Sequence, residues 1–304
     1  MNNAILNEFR LKVIEKNLNI YGIVIKQNGK CLIHRYRSDD KVNIYSASKS
    51  VTALAIGMLI DDAQLKLNDN LADLFPEYLP HMAPKTADIT VRHLLQMASG
   101  KLEFFGDFRS KNQDNLQVFM AHPVTEKPGE KFFYSNGCTY VLSRIVEKIR
   151  GEKLRDFLVP RLFDVLNIEN PQWHTCHHGH TMGATGLFLT TEELSRIGEV
   201  YLGAGAYCGT QIVSESFIKK CYTDTVLTGT DKTLTNGSHY GYQLWLGEVP
   251  GTYRLDGKYS QYSIIFPEEG ATVTITAHEE HHGQDIITGV YENIWCHLKN
   301  KKLN

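Results

Sequence analysis

The chain has 304 residues, with 32 Lys and Arg against 34 Asp and Glu and a formal net charge of −2. A chain of that length buries roughly three quarters of its unfolded surface, so core size is not limiting. The near-balance of charge removes the electrostatic ground for expecting nucleic acid or an anionic membrane as partner, and leaves small-molecule or peptide-like ligands.

The opening stretch MNNAILNEFRLKVIEKN reads as an amphipathic helix with Ile5, Phe9, Leu11, Val13 and Ile14 on its apolar side. It lacks the continuous apolar segment of a signal peptide, and with Met1 at its head the expectation is that no export segment precedes it. No stretch approaches the eighteen or so apolar residues of a membrane span. Six cysteines (Cys31, Cys138, Cys176, Cys208, Cys221 and Cys296) are scattered without CxxC spacing. That usage fits reduced thiols and a cytoplasmic location.

Two strands follow, IYGIVIK (Ile20 to Lys26) and KCLIHRY (Lys30 to Tyr36), joined by Asn28-Gly29, a dipeptide that accepts positive φ in a tight hairpin. After Ser46, residues Val51, Leu54, Ala55, Met58 and Leu59 share one face, and Ile56 and Ile60 widen it. This pattern predicts a helix enclosed on most sides. From Leu65 to Arg161 the pattern is mainly helical, punctuated by Pro76, Pro80, Pro84, Pro123 and Pro128. TTEELSRIGEVYL starts with Thr190 or Thr191 placed to cap a helix. HYGYQLWL, TYRL, QYSIIF and TVTITA then read as short strands, and DIITGVYENIWCHLKN as a closing helix. The predicted class is α/β (α+β), with a central antiparallel sheet built from both chain ends, helices flanking it and a mainly helical lobe inserted. Residues 1–304 are read as one catalytic unit, with an α/β lobe at about 1–60 plus 185–304 and a helical lobe at about 61–184.

S-x-x-K occurs three times, at Ser38-Lys41, Ser46-Lys49 and Ser216-Lys219. Ser38 lies in a polar turn, and Ser216 opens a charged helix where it is most simply a cap. Only Ser46 leads into a nearly all-apolar helix. One helical turn apart, Ser46 and Lys49 point the same way while the helix interior withdraws water from the ammonium. Desolvation disfavours the charged lysine and moves it toward a form able to take a proton from a hydroxyl. The competing reading has Ser46 or Ser48 capping the helix and Lys49 reaching out to water. A second proton carrier is offered by Tyr134-Ser135-Asn136, after a Pro-Gly turn and before another apolar helix. A second Y-x-N, Tyr291-Asn293, falls inside the closing helix, where a ring packs.

On these segments the chain resembles the serine β-lactamase and penicillin-binding-protein superfamily, in its class C β-lactamase-like esterase and amidase branch. IYSASKSVTALAIGMLIDDAQLKLNDNLADLFPEYLP is similar to that family's nucleophile helix and the segment after it. ITVRHLLQMASG, KPGEKFFYSNGCTYVLSRIVEK and GATGLFLTTEELSRIGEVYLGAG follow in the family's order. The resemblance implies a β-lactamase/transpeptidase-like fold and a serine hydrolase acting through an acyl-enzyme on small esters, amides or peptide-like substrates, with no cofactor. It casts Ser46 as nucleophile and Lys49 as the acceptor of its proton, a cation that also keeps the neighbouring phenol acidic. Tyr134 becomes the relay to the leaving group, and Asn136 the partner of Lys49 or of the substrate amide. The Ser46 amide and a facing strand amide, from Lys258 or Tyr259, would form the oxyanion hole.

The family's third segment, Lys or His, then Thr or Ser, then Gly, falls here on Leu255-Asp256-Gly257, and only the glycine is kept. Loss of the cation tells against β-lactam or D-Ala-D-Ala recognition, and Asp256 favours a neutral or cationic substrate. Arg254 and Lys258 flank the segment, and strand alternation sends both away from the missing side chain. Two alternatives stand beside the hydrolase reading. One is a catalytically weak relative that binds a peptide or cell-wall-like ligand. The other is a zinc-dependent protein using His174, Cys176, His177, His178 and His180, with His278, Glu279, His281 and His282 as further donors, although H-x-C-H-H-x-H lacks the common zinc spacings. His34 and His93 read as packing residues.

Overall fold

The computed structural model describes residues 3–102, 110–229, 238–247 and 249–300; Met1, and residues 103–109 within the expected helical lobe, lie outside that set. Among the described residues, eight strands form one antiparallel sheet. Its order is Lys30–Arg35, Ile20–Gln27, Ala271–Ala277, Gln261–Phe266, Tyr253–Gly257, Trp245–Leu246, His239–Tyr240 and Val226–Leu227. The first hairpin closes on Asn28 and Gly29 at φ of 50° and 78°. Both are in the left-handed region that a tight two-residue turn requires. The sheet is continuous across the chain ends because Ile20–Gln27 pairs with Ala271–Ala277, with Ile23 opposite Ile275.

Alternation gives the sheet two buried faces. Ile23, Ile25, Ile264, Val273 and Ile275 pack under the terminal helices, against Phe9, Val13, Ile286, Val290 and Ile294. The opposite face meets the helix Thr191–Leu202, which Thr190 caps in a reciprocal box with Glu193. A second, larger core continues from there through the helices Ser48–Asp61 and Asn136–Arg150.

Four local expectations change. Leu11 and Ile14 point outward at 58% and 74% exposure, because the helix Asn7–Glu15 buries only the stripe of Phe9 and Val13. HYGYQLWL breaks into His239–Tyr240 and Trp245–Leu246, with Gln243 at φ 59° in the turn between them. Ser214, rather than Ser216, caps the helix Glu215–Thr223, its Oγ accepting from the Phe217 amide at 3.3 Å. The closing helix widens into a π-type turn over Val290–Trp295, while Tyr291 is buried as expected of the second Y-x-N. All six cysteines are free.

Candidate active site

The chain enters the site through Val42–Asn43, which pairs with Leu187–Leu189. Asn43 Oδ1 accepts from the Tyr45 amide at 2.8 Å and the Gly186 amide at 3.2 Å. These bonds fold the next residues into a 3₁₀ turn, Tyr45–Ala47, that runs into the helix Ser48–Asp61. Tyr45 stands at φ 46°, a conformation that an L-residue keeps only when its surroundings hold it there. Neither nearby serine caps this helix, since its N-cap, Ala47, makes no side-chain bond. Ser48 Oγ accepts from the Leu187 amide, and Ser46 Oγ from Lys49 Nζ at 2.9 Å.

Lys49 is 1% exposed. Its Nζ also donates to Asn136 Oδ1 at 2.7 Å and to the Ala184 carbonyl at 2.9 Å. Burial pulls its pKa from 10.5 down to about 7, against weaker upward pulls from Cys138 and the Asp256 carboxylate. Two of its three partners have no proton to give, so Asn136 and Ala184 each hold an N–H in either charge state. The lone pair of the neutral amine therefore faces Ser46 Oγ.

Asn136 opens the helix Asn136–Arg150, whose N-cap Ser135 accepts from the Gly137 amide at 3.2 Å. Tyr134 precedes the cap, with its ring centroid 4.9 Å from Lys49 Nζ and its phenol hydrogen-bonded to Ser46. Burial pushes the phenol well above its ordinary value, and the bond to Ser46 offsets only part of that. The expectation of an acidic phenol held by a lysine cation is thus corrected: desolvation wins, and Tyr134 rests protonated. Trp245 stacks on it at 5.8 Å and 24°, and Tyr240 and Phe132 complete an aromatic wall at 6.1 and 6.5 Å.

Sequence reasoning missed the part played by Gln243. Its carbonyl accepts from Ser50 Oγ at 2.8 Å and its Oε1 from Thr139 Oγ1 at 2.6 Å, while its Nε2 donates to the Leu94 and Leu95 carbonyls. One buried glutamine thereby ties the helix after Ser46, through its backbone, to the helix after Tyr134, through its side chain. A lone glutamine in a short turn carries no sequence signal of that role.

On the facing strand Tyr253–Gly257, Leu255 is buried in the larger core. Gly257 is required by close approach, because a Cβ there would drive into the Ile44 carbonyl oxygen and sit 3.2 Å from the Ala47 amide nitrogen. Arg254 does lie off the Leu255 face, but that is the face of Asp256: Arg254 Nε donates to Asp256 Oδ2 at 2.8 Å. Asp256 is therefore one end of an ion pair and not a bare charge. Lys258 is exposed, with Nζ 4.6 Å from the Tyr259 ring centroid. Tyr259, at φ 62°, packs edge-on against Tyr45 at 5.2 Å and stacks on His278 at 4.3 Å.

The histidine-rich segments have separate partners. His174 packs on Phe188, His180 Nδ1 pairs with Glu147 at 2.8 Å, and the Cys176 thiol lies 3.5 Å from the Tyr140 hydroxyl. Glu279 accepts from the Asn19, His281 and His282 amides. Among the described residues no three His, Cys, Asp or Glu side chains converge as a metal site. His93 is more than packing: its Nδ1 accepts from the Thr90 amide in a capping box.

The family model described as Beta-lactamase matches residues 21–289. The chain belongs to that family. The lovastatin esterase of Penicillium rubens is 25% identical over 192 residues, 55% of this chain and 48% of that one. The chain spans about half or less of the length of the curated relatives it matches. Among solved structures, a candidate 6-aminohexanoate-dimer hydrolase from Bacillus anthracis superposes with TM-score 0.79 at 20% identity, covering 96% of this chain and 83% of that one. The D-amino acid amidase of Ochrobactrum anthropi SV3, complexed with L-phenylalanine amide, gives TM-score 0.77 at 16% identity over 99% of each. These likenesses establish the β-lactamase/penicillin-binding-protein fold. Among the described residues no helix is long and apolar enough to cross a membrane.

Proposed function

We propose that the chain is a serine hydrolase that forms an acyl-enzyme at Ser46 on small esters or amides. The observation that carries this reading is the Lys49 amine, buried and 2.9 Å from Ser46 Oγ with its other two donors committed to carbonyl oxygens. With a pKa of about 7 it is half neutral near pH 7, where a general base works best.

Ser46 Oγ bonds to the substrate carbonyl carbon as its proton passes to Lys49. The oxyanion that forms would be met by the Ser46 amide and the Lys258 or Tyr259 amide. Tyr134 gives its phenolic proton to the leaving oxygen or nitrogen as that bond breaks, and the proton held by Lys49 restores the phenol. In the second half, water attacks the acyl carbonyl and yields a proton to Lys49, and Ser46 Oγ departs and takes that proton back. Asn136 holds Lys49 in register through both halves, and Gly257 lets the facing strand approach. A binding protein without turnover would gain nothing from a lysine held at this cost in desolvation.

A fluorophosphonate should add one phosphonyl mass to the chain at Ser46, and p-nitrophenyl acyl esters should be hydrolysed. Intact mass without an adduct at Ser46, or an undiminished rate in folded Ser46→Ala, refutes the assignment.

A further inference from the structure

Asp256 is only half used by the protein. Its Oδ2 is held by Arg254, while Oδ1 has no donor among the described residues. The Asp256 side chain is 25% exposed and that of Arg254 only 4%. The next residue, Gly257, lies against the Ile44 carbonyl and the Ala47 amide, so Asp256 is one position from contact with the turn that carries Ser46. Strand pairing with Trp245–Leu246 ends at Arg254, so that beyond it the strand borders the turn before Ser46 and not another strand. The pair is also oriented. The carboxylate charge is felt by Lys49, Tyr134 and Tyr240, Tyr291 feels the Arg254 cation, and Tyr262 feels both, the carboxylate the more strongly.

We propose that Asp256 Oδ1 receives an ammonium group of the substrate, making the Ser46 site selective for amine-bearing esters and amides, with Arg254 as the positioning residue that aims the carboxylate. A carboxylate aimed by a buried guanidinium loses little freedom on binding a donor, and a charge-assisted bond in a partly dry cleft is about twice as strong as a neutral one. An anionic substrate group would meet the same oxygen as a repulsion, with the Arg254 guanidinium already bonded to the other carboxylate oxygen. The inference rests on the acyl-enzyme reading above and names the substrate class for that site.

The test compares p-nitrophenyl esters in pairs, each ω-aminoalkyl ester against its ω-methyl isostere at several chain lengths, with the amine in the acyl part. A parallel set of amides places the amine on the leaving group. For at least one pair, kcat/KM should favour the amine by on the order of tenfold to a hundredfold. Asp256→Asn should bring that ratio close to one. The double variant Arg254→Gln/Asp256→Asn removes both charges of the pair together and should show the same collapse, which decides the matter should the single variant not fold. Arg254→Met should lower the ratio and Arg254→Lys should restore part of it, a pattern that a purely structural arginine would not produce. If wild type labels at Ser46 and hydrolyses the neutral esters but favours no amine, or if the preference survives Asp256→Asn, the inference is overturned and the acyl-enzyme reading stands. If wild type neither labels nor hydrolyses any member, both fall.

Discussion

Lys49 Nζ and Asn136 Oδ1 are 2.7 Å apart although 87 positions separate them in the chain. That bond joins the two helices that carry the candidate chemistry, and it dictates where the lysine lone pair points.

Hydrolysis should depend on pH. Lys49 has its pKa lowered to about 7, so it is protonated and unable to accept a proton below that value and neutral above it. The kcat/KM for a p-nitrophenyl ester should therefore rise with pH, with a midpoint near 7, and hold a plateau above it, since the phenol of Tyr134 is shifted upward. Because Asp256 pulls the lysine up, Asp256→Asn should move the rising limb to lower pH. Lys49→Arg, which cannot give up its proton, should cost roughly a thousandfold or more. A flat profile between pH 5 and 9 would exclude Lys49 as the base.

Tyr134 should matter according to the leaving group. p-Nitrophenolate departs without a proton, whereas an amine must be protonated as it leaves. Tyr134→Phe should therefore reduce amide hydrolysis by about a hundredfold or more and aryl-ester hydrolysis by under about tenfold. Steady-state rates on one amide and one aryl ester decide it, and equal losses on both would remove the leaving-group role.

Gly257→Ala tests the close approach of the strand to the turn. The new Cβ displaces the Ile44 carbonyl and with it the turn before Ser46. A shift of about 1 Å at the nucleophile should lower kcat/KM by about a hundredfold, at a stability cost of about 1–3 kcal/mol. Thermal melts alongside kinetics would show whether activity falls before the fold does. Unchanged kinetics would mean that the turn does not set the position of Ser46.

Gln243→Leu should be a stability variant. It removes the acceptor of Thr139 and the donor to the Leu94 and Leu95 carbonyls, leaving buried groups unpaired. The expected loss is about 3 kcal/mol in urea unfolding. A loss under about 1 kcal/mol would show that water or repacking replaces the amide.

Much of the framework was legible along the chain because it is written in local terms. Asn28-Gly29 marks the first hairpin by the backbone angles it tolerates, and Thr190 with Glu193 marks a helix start by reciprocal bonding. The apolar run after Ser46 separates its S-x-x-K from the two others. Gln243 and the Ala184 carbonyl were illegible: one is a single amide in a turn, the other a backbone oxygen that any residue would supply. The histidine-rich stretches offered zinc only as an alternative to the hydrolase reading, and among the described residues no three such side chains converge, since proximity in sequence does not direct side chains toward one point.

Residue order by itself determined the first hairpin, the helix after Ser46 and the helix capped by Thr190, that a serine and a lysine would share one helical turn, and that Leu255-Asp256-Gly257 carries no cation. Only the tertiary structure decided what those groups are chemically. Whether a lysine is neutral depends on how completely water is excluded and on which oxygens take its protons, and here these come from positions 49, 136 and 184 together. Likewise, Asp256 became half of an oriented pair only when the strand fixed which of its neighbours shares its face.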